Sequence, residues 1–246
     1  MKVCIVVPHY DHVEQFERIL PRLQESGLPL VLVDDHSPEI AWRRLSELLQ
    51  RLAPEAIVVR HPANRGKGGA VKTGLATALD RGFSHALQVD ADGQHNLDDI
   101  GQLIAQSEAR PDALVCGLPR FDESIPAGRY YARFLTLALT WVECLDRQIK
   151  DAMCGFRIYP LQRMMPIIRR GGLGERMDFD PEILVRAVWE DIDLVYVPVQ
   201  VVYPEHGRSH FMYVRDNLRI TWMHVRLVAG MLWRSPVLLR RRWKRR

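Results

Sequence analysis

Short apolar runs rich in β-branched residues recur through the first 120 residues, and a longer stretch with apolar residues at helical spacing lies between each successive pair. Residues 2–7, 30–33, 56–60, 85–89 and 113–116 read as buried strands, and 12–26, 39–52, 68–81 and 98–109 as amphipathic helices. This alternation predicts parallel βαβ units: an α/β fold with a mostly parallel central sheet flanked by helices. In such sheets ligands bind beyond the carboxyl ends of the strands, so the loops after each strand are where chemistry should lie. The second half is less regular, with helical patterns at 129–147, 160–170 and 181–190 and a strand at 194–199.

The 246 residues are 47% apolar and 26% charged, the balance of an ordinary globular domain, which argues against a disordered or fibrous chain. The apolar run at 3–7 stops at Pro8, short of the roughly 7–15 residues of a secretory signal, and no uncharged stretch reaches the roughly 18 residues of a membrane span. Cys4, Cys116, Cys144 and Cys154 form no CxxC pair, so reduced, buried thiols in a cytoplasmic protein are expected.

Four strand-end loops stand out. Pro8-His9-Tyr10-Asp11 follows the first strand, and Asp34-Asp35-His36-Ser37 the second. Asn64-Arg65-Gly66-Lys67-Gly68 follows the third, and Asp90-Ala91-Asp92-Gly93-Gln94-His95 the fourth. Asp90 and Asp92, with Gln94, offer hard oxygen ligands suited to Mg²⁺ or Mn²⁺, although a solvated acidic turn has the same composition. Asp35 could accept hydrogen bonds from a base or ribose, or cap the following helix. Lys67 between two glycines at a helix start combines backbone N–H groups, a dipole end and a cation, a suitable phosphate cradle. The spacing is neither a Walker A loop nor a dinucleotide fingerprint, and a simple glycine turn also fits.

Taken together and in this order, the loops resemble family 2 glycosyltransferases with a GT-A fold, especially the dolichyl-phosphate mannosyltransferase-like branch. The resemblance runs over roughly residues 3–210 and includes Asp151-x-x-x-Gly155-Phe156-Arg157 and Gly207-Arg208-Ser209. It implies an inverting, metal-dependent transferase that uses a nucleotide sugar carrying uridine or guanosine. It further implies that Pro8, Tyr10, Asp11, Asp35, Asn64, Lys67, Gly68, Asp90, Ala91, Asp92 and Arg208 form the nucleotide-sugar site, with Asp90, Asp92 and Gln94 on the metal. Asp180, Glu182 and Asp151 are the candidate bases for an alcohol acceptor, and Asp180 before Pro181 could equally be a helix cap. A lipid phosphate acceptor would need no base. Two rivals remain: a sugar-1-phosphate nucleotidyltransferase and a non-catalytic nucleotide-sugar-binding protein docked on a membrane.

Charge is distributed unevenly. Residues 211–246 hold ten Lys or Arg and one acid, Asp216, for a net +9, whereas the preceding 210 residues are net −5. A helix from 211 to 233, with Arg215, Arg219 and Arg226 in one stripe, is expected to end at Ser235-Pro236 before a tryptophan-bearing polybasic terminus. This predicts a catalytic domain over 1–210 and a membrane-associating tail over 211–246. The tail would bring the protein to the inner, cytoplasmic face of an anionic membrane and to a lipid-linked or membrane-resident acceptor such as a polyprenyl phosphate. A core-packing helix with a solvated end is the alternative, and the wide apolar surface argues against nucleic acid.

Overall fold

The computed structural model describes residues 1–120, 127–201 and 212–244, apart from the side chains of 127–132 and Tyr213. Its first half alternates β1 (Val3–His9), α1 (Val13–Glu25), β2 (Leu30–Asp34), α2 (Glu39–Leu52), β3 (Ile57–Arg60), α3 (Lys67–Asp80), β4 (His85–Gln88), α4 (Ile100–Ala109) and β5 (Leu114–Arg120). The second half adds α5 (Ala127–Cys144), β6 (Arg157–Pro160), α6 (Leu161–Arg169), α7 (Phe179–Trp189), β7 (Leu194–Gln200) and α8 (Tyr213–Lys244). One seven-stranded sheet, in the order β3-β2-β1-β4-β6-β5-β7, runs through the molecule. All strand pairs are parallel except those made by β6 with β4 and β5.

Both faces of the sheet are covered, which is why its strands read as continuous apolar runs. One core packs Phe16, Leu20, Leu45 and Leu103, from α1, α2 and α4, onto Ile5, Leu32 and Leu87. The opposite core packs α3 and α5–α8 onto Cys4, Val6 and Val31. Parallel register sets β1 and β2 level, with Pro8 opposite Val33 and His9 opposite Asp34, so the loops after them open at the same edge. All four cysteines are buried free thiols, and burial raises Cys4, Cys116 and Cys154 to about 12.

Two features differ from the sequence reading. β6 was not expected: its four residues begin with an arginine and end with a proline, which hides the strand pattern. Arg157 is nevertheless buried, because Ala152 and Asp180 supply carbonyl oxygens to its guanidinium. In addition, α8 does not stop at Ser235-Pro236 but runs on to Lys244. Pro236 cannot donate to the carbonyl of Leu232 four residues back, and the Ser235 hydroxyl donates to that oxygen instead, at 2.9 Å.

The end of the chain also packs differently from a free tail. Met223, Leu227, Met231 and Leu238 are buried, and Met223 and Leu227 belong to the same core as α5 and α7. His224 pairs with Glu143 on α5 at 2.6 Å, and Arg234 stacks on Trp189 of α7. Arg226 turns inward to Glu182 at 3.1 Å rather than joining an outer arginine stripe. No helix among the described residues is long and apolar enough to cross a membrane.

Candidate active site

The loop after β2 is built around two carboxylates with different tasks. Asp34 receives the hydroxyl and the amide of Ser37, and His9 approaches its Oδ1 at 3.2 Å. Burial alone would raise this carboxyl, but the bonds from His9 and Ser37 hold it below its ordinary value. Ser37 Oγ in turn accepts the amide of Asp11, tying the loop after β1 to the loop after β2. Asp11 and His36 both take positive φ, 53° and 64°, a strained backbone of the kind found at binding loops.

Asp35 is turned toward the loop after β3. Its carboxylate accepts the amides of Arg65 and Gly66 and the Nδ1 of His61, at 2.6–2.8 Å. Asn64 donates to the Asp35 carbonyl. Asp35 therefore pins the entry to α3, and it does not cap α2, whose N-cap is Pro38. Gly66 has φ 93°, and a Cβ there would run into the Arg176 side chain, so only glycine fits. Pro8 is buried in the end of β1, while Tyr10 and Asp11 stay half-exposed beside it. Gly68 is packed against Phe179, which brings the first turn of α7 next to that of α3.

Lys67, the first residue of α3, connects the two halves of the site. Its Nζ lies 2.8 Å from Asp90 Oδ2 and 2.9 Å from Asp180 Oδ2. Burial would lower the lysine, but the two carboxylates reverse this and raise it above its ordinary value. Burial would likewise raise Asp90; Lys67 and His95 outweigh it and hold the carboxyl at about 2. Gln88 donates to Asp90 Oδ1, and His95 is held in place by stacking on Phe156 at 4.7 Å.

Ala91 is buried, and Asp92 and Gln94 lie half-exposed in the turn that follows. Among the described residues, the only hydrogen bond to the Asp92 carboxylate comes from the Gln94 amide. No group of three His, Cys, Asp or Glu side chains among the described residues cages a cation there. The donor chemistry fits a hard divalent ion all the same, because Mg²⁺ and Mn²⁺ typically take one or two carboxylates and complete their shells with substrate phosphates and water. Asp92 and Gln94 offer oxygens for this, whereas Asp90 is shared with Lys67.

The second half supplies what the loops alone lack. A Cβ on Gly155 would lie 2.6 Å from Gln88 Nε2, 2.8 Å from Lys67 Nζ and 2.9 Å from Asp90 Oδ2. This glycine is therefore the close wall of the site, and Arg157 two residues on backs Asp180 at 3.7 Å. The three candidate bases are all engaged. Asp151 accepts Arg133 in a two-bond fork and the amides of Met153 and Cys154. Glu182 is fully buried among Gly174, Arg186 and Arg226, away from Lys67 and its partners. Only Asp180 sits in the site, clamped between Lys67 and Arg157. Arg208 lies outside the described residues. The sequence reading assigned no task to His9, Asp34, His61, Gly155 or Arg157, although each sits in or beside a quoted motif.

A family model described as "Glycosyl transferase family 2" matches residues 4–170. The UDP-N-acetylglucosamine–dolichyl-phosphate N-acetylglucosaminyltransferase of Methanococcus voltae is 23% identical over 93% of this chain and 96% of its own. The undecaprenyl-phosphate mannosyltransferase of Micrococcus luteus is 25% identical, covering 85% and 87%. Among solved structures, a glucosyl-3-phosphoglycerate synthase from Mycobacterium tuberculosis, in complex with Mn²⁺, UDP and phosphoglyceric acid, is similar with a TM-score of 0.65. It is 16% identical and covers 94% of this chain and 77% of its own. A mannosyltransferase from Pyrobaculum calidifontis in complex with GDP-Man and Mn²⁺ gives a TM-score of 0.63 at 17% identity, with 96% and 68% covered. These neighbours share the mostly parallel sheet and flanking helices of the GT-A fold.

Proposed function

From the premise that this chain belongs to glycosyl transferase family 2, in its dolichyl-phosphate mannosyltransferase-like branch, we propose that it moves a sugar from a UDP- or GDP-sugar to a polyprenyl phosphate. The observation that carries this reading is the meeting of Lys67, at the end of the loop after β3, with Asp90 after β4 and Asp180 at the start of α7. The loops after β1, β2 and β3 supply the nucleotide site, and the turn after β4 supplies oxygens for Mg²⁺ or Mn²⁺. The bound metal would offset charge on the departing diphosphate.

The dolichyl- and undecaprenyl-phosphate acceptors named for the relatives favour a phosphate acceptor over an alcohol. An alcohol needs a carboxylate within reach to take its proton. Asp151 and Glu182 are spent on arginines and backbone amides, and Asp180 holds Lys67 through Oδ2 while its buried Oδ1 has no hydrogen-bond partner among the described residues. A phosphate monoester has its second pKa near 6 and is already ionised at neutral pH. Its oxygen attacks the anomeric carbon from the face opposite the diphosphate. The bond to the leaving oxygen breaks with its electron pair, and the configuration inverts with no proton to move. The nucleotidyltransferase alternative would call for a glycine-rich basic loop after β1, where this chain has Pro8-His9-Tyr10.

The outer face of α8 suits the lipid side of this reaction. Val214, Leu218, Trp222, Val225, Leu232, Trp233, Leu239 and Trp243 are exposed on the side opposite Met223, Leu227, Met231 and Leu238. Trp233 and Trp243 are 88% and 83% exposed. Arg215, Arg240 and Lys244 flank this strip, which extends along a helix of 32 residues, roughly 48 Å at 1.5 Å per residue. An apolar strip with tryptophans and a basic margin fits the headgroup region of an anionic membrane, here the cytoplasmic leaflet. Because α8 is also core, replacing Trp222, Trp233 and Trp243 with serine is a better probe than truncation, and it should abolish flotation with anionic vesicles.

The deciding experiment incubates the protein with labelled UDP- and GDP-sugars, a polyprenyl phosphate and Mn²⁺, and counts label in the organic phase. Lipid-bound label from wild type, lost in Asp92→Ala, supports the reading. Tight donor binding without any labelled lipid would replace it with the non-catalytic one.

A further inference from the structure

We infer that Lys67 is an exchangeable counter-cation, which occupies Asp90 until donor arrives and thereby makes divalent-metal binding conditional on nucleotide binding. The inference rests on the donor-site reading above and adds a regulation to it. Lys67, Asp90, Asp180 and Arg157 form one connected cluster of two cations and two anions, whose charges balance, with His95 Nε2 at its edge, 3.9 Å from Asp90. The ammonium touches both carboxylates at 2.8 and 2.9 Å, and Gly155 closes the side where a water shell would otherwise spread.

A divalent ion that takes an oxygen of Asp90 enters a neutral, largely desolvated cluster and meets the Lys67 ammonium at short range. Like charges at such range repel strongly where water is scarce. A nucleoside diphosphate changes the balance, because its phosphates bring negative charge to the α3 start. Lys67 is a point charge on a flexible four-carbon stem, so it can leave Asp90 for those phosphates without moving its backbone. Asp180 keeps Arg157, which donates to its main-chain oxygen at 2.9 Å. Metal and nucleotide are then positively coupled, and Lys67 sets the size of that coupling.

The test measures free Mn²⁺ by electron paramagnetic resonance during titration of the intact protein, with and without UDP or GDP. Wild type should bind Mn²⁺ weakly alone and more tightly with nucleotide. Lys67→Met leaves the cluster net negative and should bind Mn²⁺ alone at least about tenfold more tightly, with most of the nucleotide-driven gain lost. Asp180→Asn, an isosteric change, concentrates the ammonium on Asp90 and should shift Mn²⁺ affinity the opposite way. Lys67→Arg keeps the positive charge and should retain the coupling. If both Lys67→Met and Asp180→Asn bind Mn²⁺ as wild type does, with the nucleotide gain intact, the inference fails while the donor site stands. If Lys67→Met does not fold, an unchanged affinity in Asp180→Asn suffices to overturn it. If neither nucleotide alters Mn²⁺ binding in wild type, the donor-site reading falls with it.

Discussion

Arg157 is sealed against Asp180. Its Nη1 donates to the Asp180 carbonyl at 2.9 Å and stands 3.7 Å from Oδ1, and Arg157 is only 1% exposed. The contact fastens the antiparallel strand β6 to the first turn of α7, so the carboxylate that meets Lys67 is fixed from behind.

Arg157→Met should therefore cost about 3–5 kcal/mol, the usual penalty for stranding one member of a buried ion pair. Urea unfolding reads this directly. Arg157→Lys restores the charge but lacks the fork that reaches Ala152 and Asp180 together, so it should recover only part of the loss. A loss under about 1 kcal/mol in Arg157→Met would show that the pair is not what fixes Asp180.

A methyl group at Gly155 should damage the site more than the fold. Gly155→Ala places a carbon against Lys67 Nζ and Asp90 Oδ2, and the ammonium must move away from the strand end. Nucleotide affinity by calorimetry is expected to fall at least about tenfold, equivalent to 1.4 kcal/mol. Gly101→Ala, in open space on α4, is the matched control. It should leave affinity unchanged and raise stability by about 0.5–1 kcal/mol, as Gly→Ala does in an exposed helix.

The contrast between these residues marks how far the sequence could be read. Parallel strands buried on both faces announce themselves as apolar runs, and helices with one buried face as periodic ones, so the first five strands and their helices were legible within a few residues. The loops drew attention through their order along the array, since Asp, Gly and Lys in any one of them suit an ordinary turn equally well. Arg157 was not legible, since its burial depends on a carbonyl supplied by Asp180, 23 residues on, as well as on that of nearby Ala152. The same holds for Asp35, whose carboxylate is spent on Arg65 and Gly66, some 30 residues away in the chain. The continuation of α8 past Pro236 is held by the Ser235 hydroxyl, the burial of Leu238 and the bonds of Arg241 and Arg242 to the carbonyls of Trp189 and Leu145, details that periodicity cannot carry.

Asp35→Asn is expected to loosen the entry to α3. The carboxylate accepts two amides and a histidine nitrogen, and an amide side chain offers one acceptor oxygen and an NH₂ that faces donors. Stability should fall by about 1–3 kcal/mol, the range for a buried donor left without its partner. Nucleotide binding should weaken in parallel, because Asn64 to Lys67 lose their anchor. Wild-type affinity and stability together in Asp35→Asn would count against this.

The α5–α8 contact gives a pH dependence whose sign can be worked out. Glu143 on α5 faces His224 of α8 at 2.6 Å, receives the Trp189 indole N–H on its carbonyl, and feels the negative charge of Glu182 on α7. Burial raises its carboxyl above the ordinary 4.5, and the bond from His224 offsets only part of that. A raised acid binds its proton more tightly folded than unfolded, so its contribution is complete below about pH 4.5 and is lost as pH climbs through the folded value. Glu143→Gln cannot titrate there and lacks this loss. The stability of wild type relative to Glu143→Gln should therefore decline as pH rises from 4.5 toward neutrality, read as the difference between their melting temperatures. A difference that grows with pH instead would mean that the His224 contact, not burial, governs the carboxyl.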